Sequence, residues 1–264
     1  MQRTERIENA LRTYMAEDGS VLLLNESMSY SLLDGGKRIR PQLLLLVNEM
    51  LGGTEETAMP YACALEMIHC YSLIHDDLPA MDDDAVRRGK PSSHIRFGEG
   101  NAILAGDGLL TKASLLLVSC EGNDAAKRAI LEGAYAMVSG QSDDLNLTER
   151  SAEVLERIHL NKTGALFRAA CVAGAQLSDP AKAESMRAFG DTIGMLFQMT
   201  DDLLDEEKDR AEGKLTYVTF CGTEKTKALV QEASRRAEAI LEPYSGNAAD
   251  TLRALITTLR SRTN

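Results

Sequence analysis

Apolar residues recur along this chain at three- and four-residue intervals, and alternating runs rich in Val, Ile and Thr are nearly absent. Long stretches rich in Ala, Leu, Met, Glu, Lys and Arg carry that period, which is the signature of helices. The pattern predicts helices over roughly 3–17, 41–51, 55–77, 100–119, 123–140, 151–175, 180–208, 223–241 and 247–262. Breaks fall at "DGGKRIRP", "LGGTEE", "RRGKPSS", "CEGND" and "LSDP", where glycine and proline punctuate the chain. Thr54 and Asp179 suit N-caps, and Pro180 suits a first helical turn. With no repeat, no low-complexity linker and no shift in composition, residues 1–264 read as one all-α domain.

Two of these helices are apolar nearly all round before they end in acid. "YACALEMIHCYSLI" precedes Asp76 and Asp77, and "MRAFGDTIGMLFQM" precedes Asp201, Asp202 and Asp205. A helix without a polar face is central rather than peripheral. Its acidic end must then open onto water, a cavity or a metal ion, because the dipole at a helix C-terminus disfavours anions.

Composition narrows the chemistry. The 264 residues carry a formal charge of −11, which argues against nucleic acid or an anionic membrane surface as the main partner. No uninterrupted run of about 18 apolar residues occurs, so no membrane-spanning helix is expected. The charged start "MQRTERIENALRTYM" lacks the apolar centre of a secretory signal. Five scattered cysteines, with no CxxC pair, suit a reduced cytoplasmic protein better than disulfides or structural zinc.

The stretch 71–91, "YSLIHDDLPAMDDDAVRRGKP", crowds Asp76, Asp77, Asp82, Asp83 and Asp84 together and follows them with Arg87, Arg88 and Lys90. In the second cluster Asp201 and Asp205 share a helix face at i,i+4, with Gln198 one turn earlier. One such run alone would pass for a solvated acidic surface. Two at the ends of apolar helices favour hard-cation binding, Mg²⁺ above all, which takes one or two carboxylates and fills its other positions with water and phosphate oxygens. Basic blocks after glycines complete the pattern: Lys37, Arg38 and Arg40 in "GGKRIRP", Arg87, Arg88 and Lys90 in "RRGKP", and Lys162 with Thr163 in "NKTGALFR". In so acidic a chain, tight basic groups suggest small anions, phosphate first. Carboxylates for metal and arginines for phosphate together describe a pyrophosphate site. His69 lies two turns before Asp76 and points the same way; His75, His94 and His159 read as structural or supporting groups. No GxSxG, GxxxxGK[ST] or GxGxxG motif competes.

Taken in order, "GGKRIRP", "IHCYSLIHDDLPAMDDDAVRRGKP", "FGEGNAILAGDGLL", "HLNKTGALFRAA" and "FQMTDDLLD" resemble the motif series of the trans-isoprenyl diphosphate synthases, over about residues 30 to 220. The resemblance implies an isoprenoid synthase fold of some ten or more helices around a deep central cavity, a homodimer, and head-to-tail condensation of isopentenyl diphosphate with an allylic diphosphate. It implies three Mg²⁺ ions held by Asp76, Asp77, Asp82, Asp201 and Asp205, with Asp202 in the same catalytic motif. Arg87, Lys162, Thr163 and Gln198 would contact the allylic substrate, and Gly36, Lys37, Arg40, His69 and Arg88 would form the isopentenyl diphosphate site.

In this family, bulk four or five residues before the first aspartate limits product length. Ser72 and Tyr71 occupy those positions, about 7.5 Å below the metals at five residues. Tyr71, with the Pro79-containing insertion that gives DDxxxxD spacing, resembles bacterial farnesyl diphosphate synthases; the twenty-carbon geranylgeranyl product is the alternative. A class I terpene cyclase or a non-catalytic partner subunit fits less well, the first because it needs no "GGKRIRP", the second because both aspartate clusters survive. One departure stands out. Relatives carry a Gly- and Lys-rich loop after the second cluster, whereas "DDLLDEEKDRAEGKLTYVTF" reaches Lys214 and Tyr217 almost directly. The loop is either short or lacks a segment, and "EGKLTYV", which looks like its downstream half, favours a missing segment. A truly short loop would put the Lys214 contact to the allylic diphosphate in doubt.

Overall fold

A computed structural model describes residues 2–16, 21–147 and 149–262. Helix α4 (Glu55–Asp76) is the central element, with Tyr61 through Ile68, Cys70, Tyr71 and Ile74 all buried. It starts where Thr54 Oγ1 accepts a hydrogen bond from Thr57 N, with Glu55 and Glu56 in the first turn, where carboxylates suit the helix dipole. Around it pack α3 (Ile39–Met50), α6 (Glu99–Ser119) and α9 (Ala165–Ser178). Helix α10 (Ala183–Leu204) lies against α9 and α13 (Thr223–Leu241), while α7 (Asp124–Leu145) packs on α9. The buried apolar side chains of these helices join with α1 (Arg3–Ala16), α2 (Leu22–Leu32) and α14 (Asn247–Ser261) in one continuous core. The all-α expectation therefore holds.

Differences from the predicted elements have local causes. Helix α2 was not expected, because "LLLNESMSYSL" interleaves polar residues without a clean stripe. The stretch read as one helix over 151–175 is α8 (Ala152–His159), a π-helical turn (Leu160–Gly164) and α9. The stretch over 180–208 begins as a 3₁₀ turn (Pro180–Lys182), capped by Asp179 as predicted, and breaks at Asp205 between α10 and α11 (Glu206–Glu212). A hairpin of two-residue strands, β1 (Val86–Arg87) and β2 (Lys90–Pro91), and the short helices α5 (Ser93–Phe97) and α12 (Tyr217–Cys221) complete the list. Position 17, at the end of the first predicted helix, lies outside the described residues.

The expectation that no helix could cross a membrane needs correcting. By length and composition α6 could, since its apolar residues are interrupted only by small polar ones and by the isolated charges of Asp107 and Lys112. In the fold it is a bundle helix, one face buried on α4 and another carrying the exposed Leu104, Leu115 and Val118. The five cysteines are free thiols.

Candidate active site

At the end of α4 the two adjacent aspartates part company. Asp76 lines a cavity of about 360 Å³, together with Tyr71, Ser72, Met137 and Gln141 below it and Lys162 and Thr163 across it. Burial raises the Asp76 carboxyl from 3.8 to about 6, with Lys162 opposing the shift and Asp82 adding to it. Asp77 turns the other way and is only 2% exposed. It accepts hydrogen bonds from Arg87 Nε at 2.9 Å and from Arg87 Nη2. The chain then folds back, Asp82 N donating to Asp76 O at 2.9 Å, which leaves the Asp82 side chain exposed. Arg87 also reaches Asp84 at 3.5 Å. The structure thus sets Asp77 and Arg87 against each other, away from the cavity that Asp76 lines.

The end of α10 repeats the division. Asp201 carries a raised pKa through burial, opposed by Arg262, whose Nη2 sits 3.0 Å from its Oδ1. Asp205, one turn on, is exposed and adds to the Asp201 shift. Asp202 faces inward at 2% exposure. Its Oδ1 accepts from Gln198 Nε2 and its Oδ2 from the backbone N–H of Tyr217, both at 2.7 Å. Burial lifts the Asp202 carboxyl to about 6 against those two hydrogen bonds.

Among the described residues, no group of three or more carboxylates, histidines or cysteines is gathered closely enough to hold a metal alone. The donor set nevertheless fits Mg²⁺, which needs only one or two protein carboxylates beside phosphate and water. Asp76 is a carboxylate at a cavity wall that feels the charge of Lys162, and Asp201 already draws in the guanidinium of Arg262 as its counter-charge.

The basic groups separate into two kinds. Gly36, Lys37, Arg40, His69 and Arg88, the group implied by the resemblance, all line a second cavity of about 480 Å³. Arg88 Nη1 donates to Gly35 O at 2.6 Å, and a side chain at Gly36 would meet the Arg88 guanidinium at 2.9 Å. Arg40 stacks over the Phe167 ring at 4.5 Å and lies 3.3 Å from His69 Nε2. Burial brings Arg40 down to about 10, and burial with the nearby Arg40 charge holds His69 neutral, well below its usual range. Arg38 lines the same cavity but is tied down as a strut: it adopts a left-handed backbone (φ 49°) and bonds to Glu8, Glu66 and Leu32 O. Arg40 and His69 line both cavities, so the two adjoin.

Lys162 and Thr163 belong to the π-helical turn, which α7 approaches through Gly140. A Cβ there would lie 2.3 Å from Lys162 N, so only glycine allows this contact. Lys162 Nζ pairs with Asp144 Oδ2 at 2.6 Å, and Thr163 Oγ1 donates to Gln198 Oε1 at 2.7 Å. Lys214 is exposed and lines neither cavity. Here the chain runs continuously from α11 through Gly213 (φ 66°) into α12, capped by Thr216. Sequence reasoning missed Asp144, although "GQSDDL" offered a third Asp-Asp pair, and it missed Arg262, for which the sequence held no signal.

Comparison with known proteins agrees with this geometry. Residues 21–250 match the polyprenyl synthetase family model. The chain is 40% identical to a farnesyl diphosphate synthase of Micrococcus luteus, over 90% of this chain and 89% of that protein. It is 42% identical to the large subunit 1 of a heterodimeric geranylgeranyl pyrophosphate synthase of Arabidopsis thaliana, over 92% of this chain and 73% of that one. The crystal structure of a geranyltransferase from Legionella pneumophila superposes with a TM-score of 0.90 at 34% identity, covering 99% of this chain and 95% of that one. Motifs, fold and relatives agree, and the chain belongs to the polyprenyl synthetase family.

Proposed function

We propose that the protein condenses isopentenyl diphosphate head-to-tail with dimethylallyl or geranyl diphosphate and releases farnesyl diphosphate. One observation carries this reading: a cavity with Asp76 and Lys162 among its polar groups and an apolar interior shares a wall, Arg40 and His69, with a cavity lined by Lys37, Arg38, Arg40 and Arg88. The first suits an allylic diphosphate with its tail inward. The second suits a diphosphate whose double bond must approach from the side.

Asp76, Asp82, Asp201 and Asp205 are the residues that would hold Mg²⁺, which neutralises the allylic diphosphate and makes it a better leaving group. Lys162 faces the same cavity and contributes fixed positive charge to the departing oxygen. As the allylic C–O bond breaks, positive charge develops on carbon, and the double bond of isopentenyl diphosphate, held by Lys37, Arg40 and Arg88, closes the new C–C bond. A proton then leaves the adjoining carbon for the released diphosphate. Neutral His69 is not required as a base. The protein's part is positioning, charge and exclusion of water.

Tyr71 supports the fifteen-carbon product. It lines the allylic cavity five residues before Asp76, its ring edge-on to His75 at 5.8 Å, and its buried hydroxyl has no hydrogen-bond partner. The geranylgeranyl reading is favoured by the plant relatives. A product assay with Mg²⁺, isopentenyl diphosphate and geranyl diphosphate separates them: a fifteen-carbon alcohol after hydrolysis is the expected result, and a twenty-carbon one removes Tyr71 as the floor. Tyr71→Ala should shift the main product to twenty carbons. Failure of both assays to elongate any primer would overturn the reading.

A homodimer belongs to the same proposal. Leu131, Tyr135, Val138 and Leu145 form an exposed apolar stripe along α7 at heptad spacing, and Val138 and Leu145 also line the allylic cavity. A second copy over this face would seal the cavity wall from water. Sedimentation of the purified protein tests it, with Tyr135→Glu expected to shift the mass toward the monomer. The free thiols support a reducing, cytoplasmic setting.

A further inference from the structure

Asp202, Gln198 and Thr163 form a hydrogen-bonded row running from α12 to the wall of the allylic cavity. Each link fixes the direction of the next. The backbone N–H of Tyr217 occupies Asp202 Oδ2, and the carboxylate can only accept. Its Oδ1 therefore requires the amide nitrogen of Gln198, 2.7 Å away. That orientation turns Gln198 Oε1 toward Thr163, 2.7 Å away, so the Thr163 hydroxyl must donate. Its single proton is committed to Gln198, and the oxygen presents lone pairs to the cavity.

We propose that Asp202 is a positioning residue that sets the polarity of this row, so that the Thr163 oxygen directs negative charge density at the allylic carbon as it becomes cationic. The inference rests on the prenyl transfer proposed above. Asp202 itself lines neither cavity and acts through its two neighbours. An aimed dipole in a site that excludes water is worth far more than the same dipole in water.

A near-isosteric change reverses the row. In Asp202→Asn the side-chain oxygen keeps the Tyr217 N–H, and the new amide nitrogen faces Gln198. Gln198 must then turn over, offer its NH₂ to Thr163, and drive the hydroxyl proton into the cavity. The expected result is a fall in kcat of about 10- to 100-fold, with KM for both substrates within about twofold. Affinity for an allylic diphosphate analogue bearing a protonated amine at the reacting centre should fall in parallel, while a neutral thiolo-diphosphate analogue binds as it does to the unaltered protein. In Asp202→Asn with Gln198→Glu, the new carboxylate accepts from both sides and makes Thr163 a donor again, so at least tenfold of the lost kcat should return. Equal loss of affinity for both analogues, or a double variant no faster than Asp202→Asn, would overturn the proposal. Should Asp202→Asn fold poorly, Thr163→Val must reproduce the selective loss and Thr163→Ser must avoid it, or the proposal fails. Unaltered protein that elongates no primer would instead sink the prenyl transfer reading.

Discussion

The two Asp-Asp pairs, Asp76–Asp77 and Asp201–Asp202, divide their labour in the same way and neutralise it differently. In each pair one carboxylate is turned inward, Asp77 and Asp202 both at 2% exposure, while Asp76 lines the allylic cavity and Asp201 meets Arg262. Adjacent residues on a helix point about 100° apart, so the two carboxylates of each pair meet different surroundings. The inward partners differ in what meets them. Asp77 has a formal cation, Arg87; Asp202 has only the neutral donors Gln198 and Tyr217 N–H. A doubled aspartate therefore carries one substrate-side group and one strut. A charged strut serves mainly stability, whereas a neutral hydrogen-bonded one can transmit orientation.

The largest expected effect separates the outward from the inward members. Asp76→Asn and Asp201→Asn should each lower kcat/KM by about a thousandfold or more, because each removes a carboxylate meant for metal. Steady-state kinetics over a Mg²⁺ titration measures this, and near-normal activity in either variant would break the division. Next comes the contrast between the struts. Asp77→Asn leaves Arg87 with the more distant, half-exposed Asp84 and should cost about 1–2 kcal/mol of stability, the buried-pair penalty discounted because Arg87 is 36% exposed. Denaturant unfolding reads that loss. At Asp77 the change should appear mainly in stability, and at Asp202 mainly in kcat.

How much of this division was legible in the sequence depended on the kind of contact involved. Gly36, Lys37, Arg40, His69 and Arg88 were grouped through the family resemblance, and all five line one cavity. The long helices were legible, because their apolar faces are wide. What each aspartate of a pair does was not legible, since identical residues one position apart differ only in which tertiary partner they meet. The π-helical turn at Leu160–Gly164 was hidden for a related reason: its extra residue keeps helical composition and is accommodated by the close approach of α7 at Gly140. Lys214 lies exposed after α11, outside both cavities.

A smaller effect concerns pH in the metal-free protein. Asp76 moves from 3.8 to about 6 on folding, so it binds a proton more tightly when folded. The associated stability is fully present below about pH 3.8 and is lost as pH rises through about 6. Asparagine cannot ionise. Asp76→Asn should therefore raise Tm by about 2–4 °C near pH 7, the equivalent of roughly one kcal/mol for a chain of this size, and leave it unchanged near pH 4. Scanning calorimetry at the two pH values decides it, and an equal shift at both would place the cause in packing rather than charge.

The smallest expected effect tests the counter-charge of the second cluster. Arg262, from the residue that ends α14, holds Asp201 at 3.0 Å, stacks over Phe197 at 5.4 Å, and keeps one buried guanidinium nitrogen without a partner. Both members of the pair are partly exposed, at 22% and 31% of their side chains, so their attraction is modest. A cation entering at Asp201 must compete with that guanidinium. Arg262→Ala should therefore lower the Mg²⁺ concentration giving half-maximal activity by about 1.4- to fivefold, the range of 0.2–1 kcal/mol typical of such pairs. At the first cluster the cations near Asp76 are engaged elsewhere, Arg87 by Asp77 and Lys162 by Asp144. Arg87→Ala should accordingly weaken the hairpin without easing Mg²⁺ use. A similar gain in both variants would mean that the two clusters are neutralised alike.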